Sequence, residues 1–281
     1  MFTLFKIIDM RSKFFIVGLL LLTVVIISFY KTDIPNVLNV NQRFVKIEDN
    51  LYVDKYEISI KDYKLFLFDK KHKSEDYSNL IYDSTKWTSS IVNYPDLQDY
   101  YFNHNAYINY PIVSISYYAA QEFCDWLSVK YNSSPKKKYK KVIFRLPTED
   151  EFVKVAGSGF DIKKILYPWG SNKLIDSDNK KLCNFWRLNQ DEIDYNGKTF
   201  NYDNIINNFD NDIEIINSYK PNKYGVFNIV GNVSEMVQEK NHAMGGDYLS
   251  TGYNVRITSK KEFKESDISV GFRVYLEILE Y

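Results

Sequence analysis

Val142-Ile143-Phe144-Arg145-Leu146-Pro147-Thr148-Glu149-Asp150-Glu151 carries a change of structure within ten residues. Val142–Leu146 has the β-branched and aromatic content of a strand. Thr148 and Glu151 then match a capping box, in which each side chain satisfies the other residue's exposed backbone N–H, and Gly157 suits the end of the short helix that follows. A strand running directly into a capped helix predicts a mixed α+β fold.

Amino-terminal to this point the same two patterns recur. Ser116 is placed to cap a helix in which Ala120, Phe123, Cys124 and Leu127 form an i, i+3, i+4, i+7 stripe. Between that helix and Val142 lies the basic run Lys136, Lys137, Lys138, Lys140 and Lys141, which reads as a solvated loop. Ile112–Ile115 reads as extended, and Tyr77–Tyr110 as an irregular, aromatic-packed stretch. Earlier still, Leu51–Ile58 has the composition of an amphipathic strand. Ser59 follows as an N-cap, and Ile60, Tyr63, Phe66 and Leu67 give the apolar face of a helix to about Lys70.

Carboxyl-terminal to it, Pro168–Asn222 is dominated by Asn, Asp, Lys and Tyr and shows almost no period. Backbone polar groups in so long a loop still need partners, so it must be tied down by side-chain hydrogen bonds or ions. Alternating apolar residues return at Tyr248 and Val255 and in Val270–Leu276, which predicts closing strands there.

The 281 residues carry 36 Lys+Arg against 36 Asp+Glu, with 45% apolar residues. Balanced charge gives no electrostatic basis for binding nucleic acid, and the apolar content is enough to bury a core. Two cysteines, Cys124 and Cys183, exclude a disulfide framework. His72, His104 and His242 are spread along the chain without metal-ligand spacing.

Phe14–Tyr30, FFIVGLLLLTVVIISFY, is uncharged, follows Lys6, Arg11 and Lys13, and is followed by Lys31. It meets the lower length limit of a membrane-spanning helix, and its basic flank belongs on the cytoplasmic side. No A-x-A-like cleavage pattern follows. The reading is therefore a short cytoplasmic segment (1–13), a signal anchor (14–30), a linker (31–43) and an exported domain (44–281), periplasmic or at the cell surface. A removed signal peptide is the alternative, and both readings export the domain.

Taken in order, Val53–Ile58, Pro111–Ser116, Ala120–Leu127, Arg145-Leu146-Pro147-Thr148-Glu149, Tyr167-Pro168-Trp169-Gly170, Asn222–Glu235, Gly245-Gly246 and Gly271-Phe272-Arg273 resemble the formylglycine-generating enzyme, or sulfatase-modifying factor, family over about Phe44–Tyr281. The resemblance implies one α+β domain of the C-type-lectin-like kind with little regular structure. Its members include copper-dependent oxidases that convert a sulfatase cysteine to formylglycine. They also include iron-dependent sulfoxide synthases and non-catalytic relatives such as gliding-motility and secretion lipoproteins of bacterial envelopes.

In the oxidases two thiolates just after Gly-Gly hold copper(I), a soft ion that selects sulfur. By direct spacing Ser250 and Val255 stand at those positions here, with Asp247 and Thr251 at two neighbouring active-site positions. Neither a hydroxyl nor a hydrocarbon holds copper(I), so no copper is expected. The sulfoxide-synthase version would need a histidine-rich helical domain that this chain lacks. Cys124 matches a family cysteine often bridged to the residue after Gly-Phe-Arg, which is Val274 here, so it is expected to be a buried apolar side chain.

The family's calcium loop maps onto Gly225–Met236. The resemblance assigns as ligands the side chains of Asn228 and Glu235 and the carbonyls of Gly231 and Val233. A metal-free turn, with Glu235 bonded to backbone N–H groups, is the alternative. Ser234 and Met236 replace tryptophans that usually flank the Glu. A second calcium site would begin at Asn184 and Phe185, with its distal Asp mapping onto Asn208 or Asp210. The expected function is a membrane-anchored extracytoplasmic binding or scaffold module, a pseudoenzyme whose partner is an envelope protein or glycan. The alternative is a formylglycine-generating oxidase.

Overall fold

Two four-stranded sheets organise the chain in the computed structural model, which describes residues 39–88, 100–186 and 212–281. The proposed anchor at 14–30, the proposed distal ligands Asn208 and Asp210, and most of the linker lie outside the described residues. No helix among the described residues is long and apolar enough to cross a membrane. All of them fall in one compact unit, Val37–Tyr281.

The first sheet has the order β1-β2-β8-β3, from β1 (Phe44–Lys46), β2 (Leu51–Asp54), β3 (Lys141–Arg145) and β8 (Tyr275–Glu280). All its pairings are antiparallel: Val53 lies opposite Val45 and Tyr275, and Phe144 opposite Leu276. Strands from the two ends of the domain thus lie side by side. The second sheet has the order β6-β5-β4-β7, built from β4 (Ser234–Met236), β5 (His242–Met244), β6 (Lys260–Glu262) and β7 (Val270–Gly271), with β4 and β7 parallel.

A single helical turn, α1 (Val40–Arg43), leads into β1, and three longer helices with described bounds follow among the described residues. The expected caps form. Ser59 accepts from the Asp62 N–H at 3.1 Å and starts α2 (Ile60–His72), and Ser116 accepts from the Ala119 N–H at 3.1 Å and starts α3 (Tyr117–Asn132). Thr148 and Glu151 close both arms of the capping box of α4 (Glu149–Gly157). At the end of α4 the left-handed residue is Ser158, with φ 48°, rather than Gly157, which remains helical. Gly157 is suited to its place by space instead, since an added Cβ would meet Ile162 at 3.0 Å.

The α3 stripe Ala120, Phe123, Cys124 and Leu127 is buried as expected. It packs on α2, where Tyr63 stacks on Phe123 and Phe66 meets it edge-on at 5.5 Å, and Phe272 closes on Phe123 at 5.3 Å. Such aromatic contacts add to the stabilisation from area burial.

Three expectations for strands are corrected. Ile112–Ile115 is not a strand, because Ser114 takes φ 58° and breaks the extended run. Leu51–Ile58 pairs only to Asp54. Tyr248 sits in a turn and Val255 in the bend that follows a short 3-10 segment, rather than in closing strands, and Val270–Leu276 is split between β7 and β8 at Phe272-Arg273-Val274. The described parts of Pro168–Asn222 contain no helix or strand, matching the loop expectation.

Candidate functional site

Among the described residues, the strongest concentration of buried charge lies where β2, the Gly225–Met236 loop and the residues between β7 and β8 converge. Arg273 is fully buried. It donates to Glu235 from Nε at 3.0 and 3.1 Å and from Nη2 at 2.6 Å, and to the carbonyls of Asp54 and Phe227 at 3.1 and 2.8 Å. A second guanidinium, Arg43, grips Asp54 at 2.7 Å and Asp62 at 2.8 Å. Ion pairs this deep depend on their hydrogen bonds, because desolvation offsets most of their attraction; those of Arg273 are made, while Arg43 leaves its Nη2 buried without a partner.

Glu57 is also wholly buried, and no arginine among the described residues hydrogen-bonds it. It accepts from the side-chain amides of Asn232 at 2.9 and 3.2 Å and Asn228 at 3.1 Å. Burial, reinforced by the nearby Glu235 charge, pushes its carboxyl up to about 8. Burial likewise raises Asp54 to about 6 and raises Glu235 against the opposing pull of Arg273.

The residues assigned to calcium by resemblance fall in this region. Asn228 gives its amide N–H groups to Glu57 and the Ile215 carbonyl, while its Oδ1 is buried with no partner. Gly231, at φ 75°, is held by the close passage of the Asn184 carbonyl, only 2.4 Å from where a Cβ would stand. Glu235 is committed to Arg273 rather than to backbone N–H groups. The set tested for a hard cation is therefore mixed: an orphaned amide oxygen and an excess of carboxylate over guanidinium fit one, while the Glu235 carboxylate would have to be shared with Arg273. Among the described residues no group of three His, Cys, Asp or Glu side chains is arranged to hold a metal.

At the second assigned position Asn184 donates to the Asp212 carbonyl at 2.8 Å and to Asn232 Oδ1 at 3.1 Å, which ties the two loops together. The structure therefore brings Asp212 to Asn184. Phe185 packs in an apolar cluster with Tyr167, Cys183, Val230 and Val255.

The two positions matching the family's thiols have separate fates. Ser250 is turned onto Asp247, donating to Oδ1 at 2.9 Å and accepting the Asp247 N–H at 3.1 Å. Val255 is fully buried in the cluster that contains Cys183. Asp247 is the hub of a polar network: its Oδ2 accepts from Ser234, Lys261 and Ser269, each at 3.0 Å. Lys261 also reaches Asp267 at 3.2 Å and Ser269 Oγ at 2.6 Å. Ser234, one of the two tryptophan replacements, thereby belongs to this network.

Cys124 and Cys183 are free and occupy different apolar clusters. Burial pushes the Cys183 thiol up to about 12 and Cys124 higher still, so both favour the thiol over the thiolate a soft metal needs.

Sequence reasoning singled out neither Glu57, Arg273 nor Lys261 as a site residue. Glu57 and Arg273 lie inside quoted family segments, and a charge flanked by apolar residues, as in Tyr56-Glu57-Ile58 and Phe272-Arg273-Val274, was the available signal. Lys261 sits in a charged run and offered none.

The family model for the sulfatase-modifying factor enzyme 1-like domain matches residues 31–278. No curated protein matches the chain. Among solved structures, PvdO from Pseudomonas aeruginosa is similar at TM-score 0.54 and 15% identity, over 81% of this chain and 80% of that one. CarF is similar at TM-score 0.49 and 16% identity, over 84% and 93%. Treponema denticola variable protein 1 is similar at TM-score 0.47 and 14% identity, over 84% and 91%. At these identities the likeness to PvdO concerns the fold alone. A family match spanning nearly the whole described domain, on a fold with the same mixed architecture, places this chain in the sulfatase-modifying factor enzyme 1-like domain family.

Proposed function

We propose that this chain is a membrane-anchored extracytoplasmic binding or scaffold module of the cell envelope that keeps the family's fold without its copper chemistry. One observation carries the reading: the hydroxyl at one thiol position is spent on Asp247, and the other position is a buried valine. Neither offers a soft donor, and the two cysteines stand apart in separate clusters with raised thiols. The partner is an envelope protein or glycan, reached through the aromatic loop surface, where Tyr253 is 68% exposed.

The test is to supply the full-length chain with copper(I) and a cysteine-containing sulfatase peptide and assay for the aldehyde by mass spectrometry. No aldehyde above the protein-free control is expected. Stoichiometric copper(I) binding with turnover would establish the oxidase alternative instead.

Calcium is the ion the Asn228 region would hold, through Asn228 Oδ1 and the carbonyls of Gly231 and Val233, with Glu235 shared. A companion ion at Asn184 and the carbonyl of Phe185 has less support, since that carbonyl already accepts from Lys181 Nζ at 2.9 Å. The unpartnered Asn228 oxygen supports the first site. Millimolar calcium should raise the melting temperature of the wild type and leave Asn228→Ala unchanged, by linkage. A shift that survives in Asn228→Ala removes the site from this position.

A further inference from the structure

Between α3 and β3 the chain presents Lys136, Lys137, Lys138, Lys140 and Lys141, all exposed, around a buried Tyr139. Tyr139 donates to the Tyr52 hydroxyl at 3.0 Å and meets the Tyr281 ring edge-on at 5.9 Å. The Tyr131 hydroxyl accepts the N–H groups of Lys138 and Tyr139, both at 3.0 Å. The turn is thus pinned to the first sheet and to α3, and its lysines are held out as a fixed face.

The charge of that face is poorly offset. Among the described residues none of the five lysines forms an ion pair: Lys137 gives its Nζ to the Asn132 carbonyl at 2.7 Å, and Lys138 lies over the Tyr139 ring at 4.9 Å. The neighbouring acids are committed elsewhere, Asp49 to Lys46 at 3.0 Å, Glu277 to Arg145 at 2.8 Å and Glu48 to Lys154. Glu280, opposite Lys141 in the ladder, is left. Even with the carboxylate at Tyr281 also counted against it, the face keeps about three positive charges. Beside it Leu279 is 48% and Tyr281 64% exposed, and amphipathic rings of this kind favour the membrane–water interface.

We propose that this face lies against the anionic lipid headgroups of the membrane that holds the chain, with the five lysines on the phosphates and Tyr281 and Leu279 at the interface. The proposal rests on the membrane-anchored reading. Eight residues, 31–38, separate the apolar run at 14–30 from Asn39, and a chain of that length reaches at most about 30 Å. A domain so tethered meets the bilayer at high effective concentration, so a surface contact too weak to recruit a free protein still forms. Each lysine near an anionic surface strengthens the contact roughly fivefold, and a net of about three charges favours anionic over neutral lipid by about a hundredfold. Salt weakens such an exposed contact by screening.

The test places the full-length chain in nanodiscs of phosphatidylcholine alone, or of phosphatidylcholine and phosphatidylglycerol in equal parts, and acetylates its amines, read peptide by peptide by mass spectrometry. The five lysines should react about tenfold more slowly in the phosphatidylglycerol discs, and about 0.5 M NaCl should remove the difference. Lys264, exposed beyond the edge strand β6 of the second sheet, should react equally in both. Hydrogen exchange supplies a second readout. Residues 133–141 should be protected by phosphatidylglycerol in the wild type and not in a variant combining Lys136→Gln, Lys137→Gln, Lys138→Gln and Lys140→Gln, whose melting temperature should match the wild type because all four side chains are exposed.

Equal reactivity of the five lysines in the two discs, an equal slowing of Lys264, or protection that survives in the quadruple variant would overturn the proposal. The anchor is judged separately, by retention of the chain on discs of both compositions at high salt. A chain without an anchor leaves the phosphatidylcholine discs, and its binding to phosphatidylglycerol discs at low salt then still reports on the basic face, so either reading can fail without the other.

Discussion

The Arg273–Glu57 region and the Asp247–Lys261 network are both buried polar clusters, yet their charges are handled in opposite ways. In the first, the carboxylates outnumber the guanidiniums, and burial raises Asp54, Glu57 and Glu235. In the second, burial pushes Asp267 up, but Lys261 and the Ser269 N–H outweigh it and hold the carboxyl below its ordinary range. Lys261 is raised in turn by Asp247 and Asp267, against its own desolvation. The first region is over-supplied with acid and pins the frame of the fold. In the second, one lysine is shared between two carboxylates, and serine hydroxyls complete the hydrogen bonding of both acids. Burial therefore decides the carboxyls of the first region, while lysine and N–H donors decide that of Asp267 in the second.

The largest expected effect comes from breaking the frame. Arg273→Met leaves Glu235 buried without its partner and should cost about 3–5 kcal/mol in a urea unfolding curve. A loss below about 1 kcal/mol would show that the guanidinium is not what holds the loop and the strands together.

The pH profiles separate the two regions by sign. Glu57 has a folded pKa of about 8 against an ordinary value of 4.5, so the folded chain binds more protons between these limits. Its contribution is complete below the ordinary value and falls as pH rises toward 8. In chelator-containing buffer, Glu57→Gln should therefore flatten the decline in stability over that interval. An unchanged decline would assign it to other groups.

Lys261→Met deprives Asp247 and Asp267 of their cation and should lower stability by about 1–2 kcal/mol, discounted because the lysine is partly exposed. The smallest effect is expected from Asp267→Asn. Asp267 stabilises the fold above the ordinary carboxylate value and loses that contribution as pH falls through its depressed folded value. The substitution should shallow the acid limb by less than about 1 kcal/mol. Acid sensitivity equal to the wild type would remove the depressed carboxyl from the account.

What the sequence made legible was local. Ser59, Ser116 and Thr148 each bond a backbone N–H three residues ahead, a distance over which side-chain type and spacing settle the geometry. The family segments made the α+β frame legible too. The charged cluster was not readable in the same way: Arg273 and Glu235 are separated by 38 positions, and Asn232 and Glu57 by 175. Nothing in a local pattern states which distant acid meets which base. Tyr248 and Val255 misled for a related reason. Their apolar character records burial, which turns around Gly246 and Gly252 satisfy as well as strands do.

The position of β8 bears on how the molecule is made. Residues 275–280 are the shared neighbour of β2 and β3, pairing Leu51 with Glu277 and Phe144 with Leu276. Until that segment leaves the ribosome, β2 and β3 lack the strand that joins them. Synthesis thus outruns completion of the sheet, and the half-finished edges must be kept from neighbouring chains for the whole of that interval.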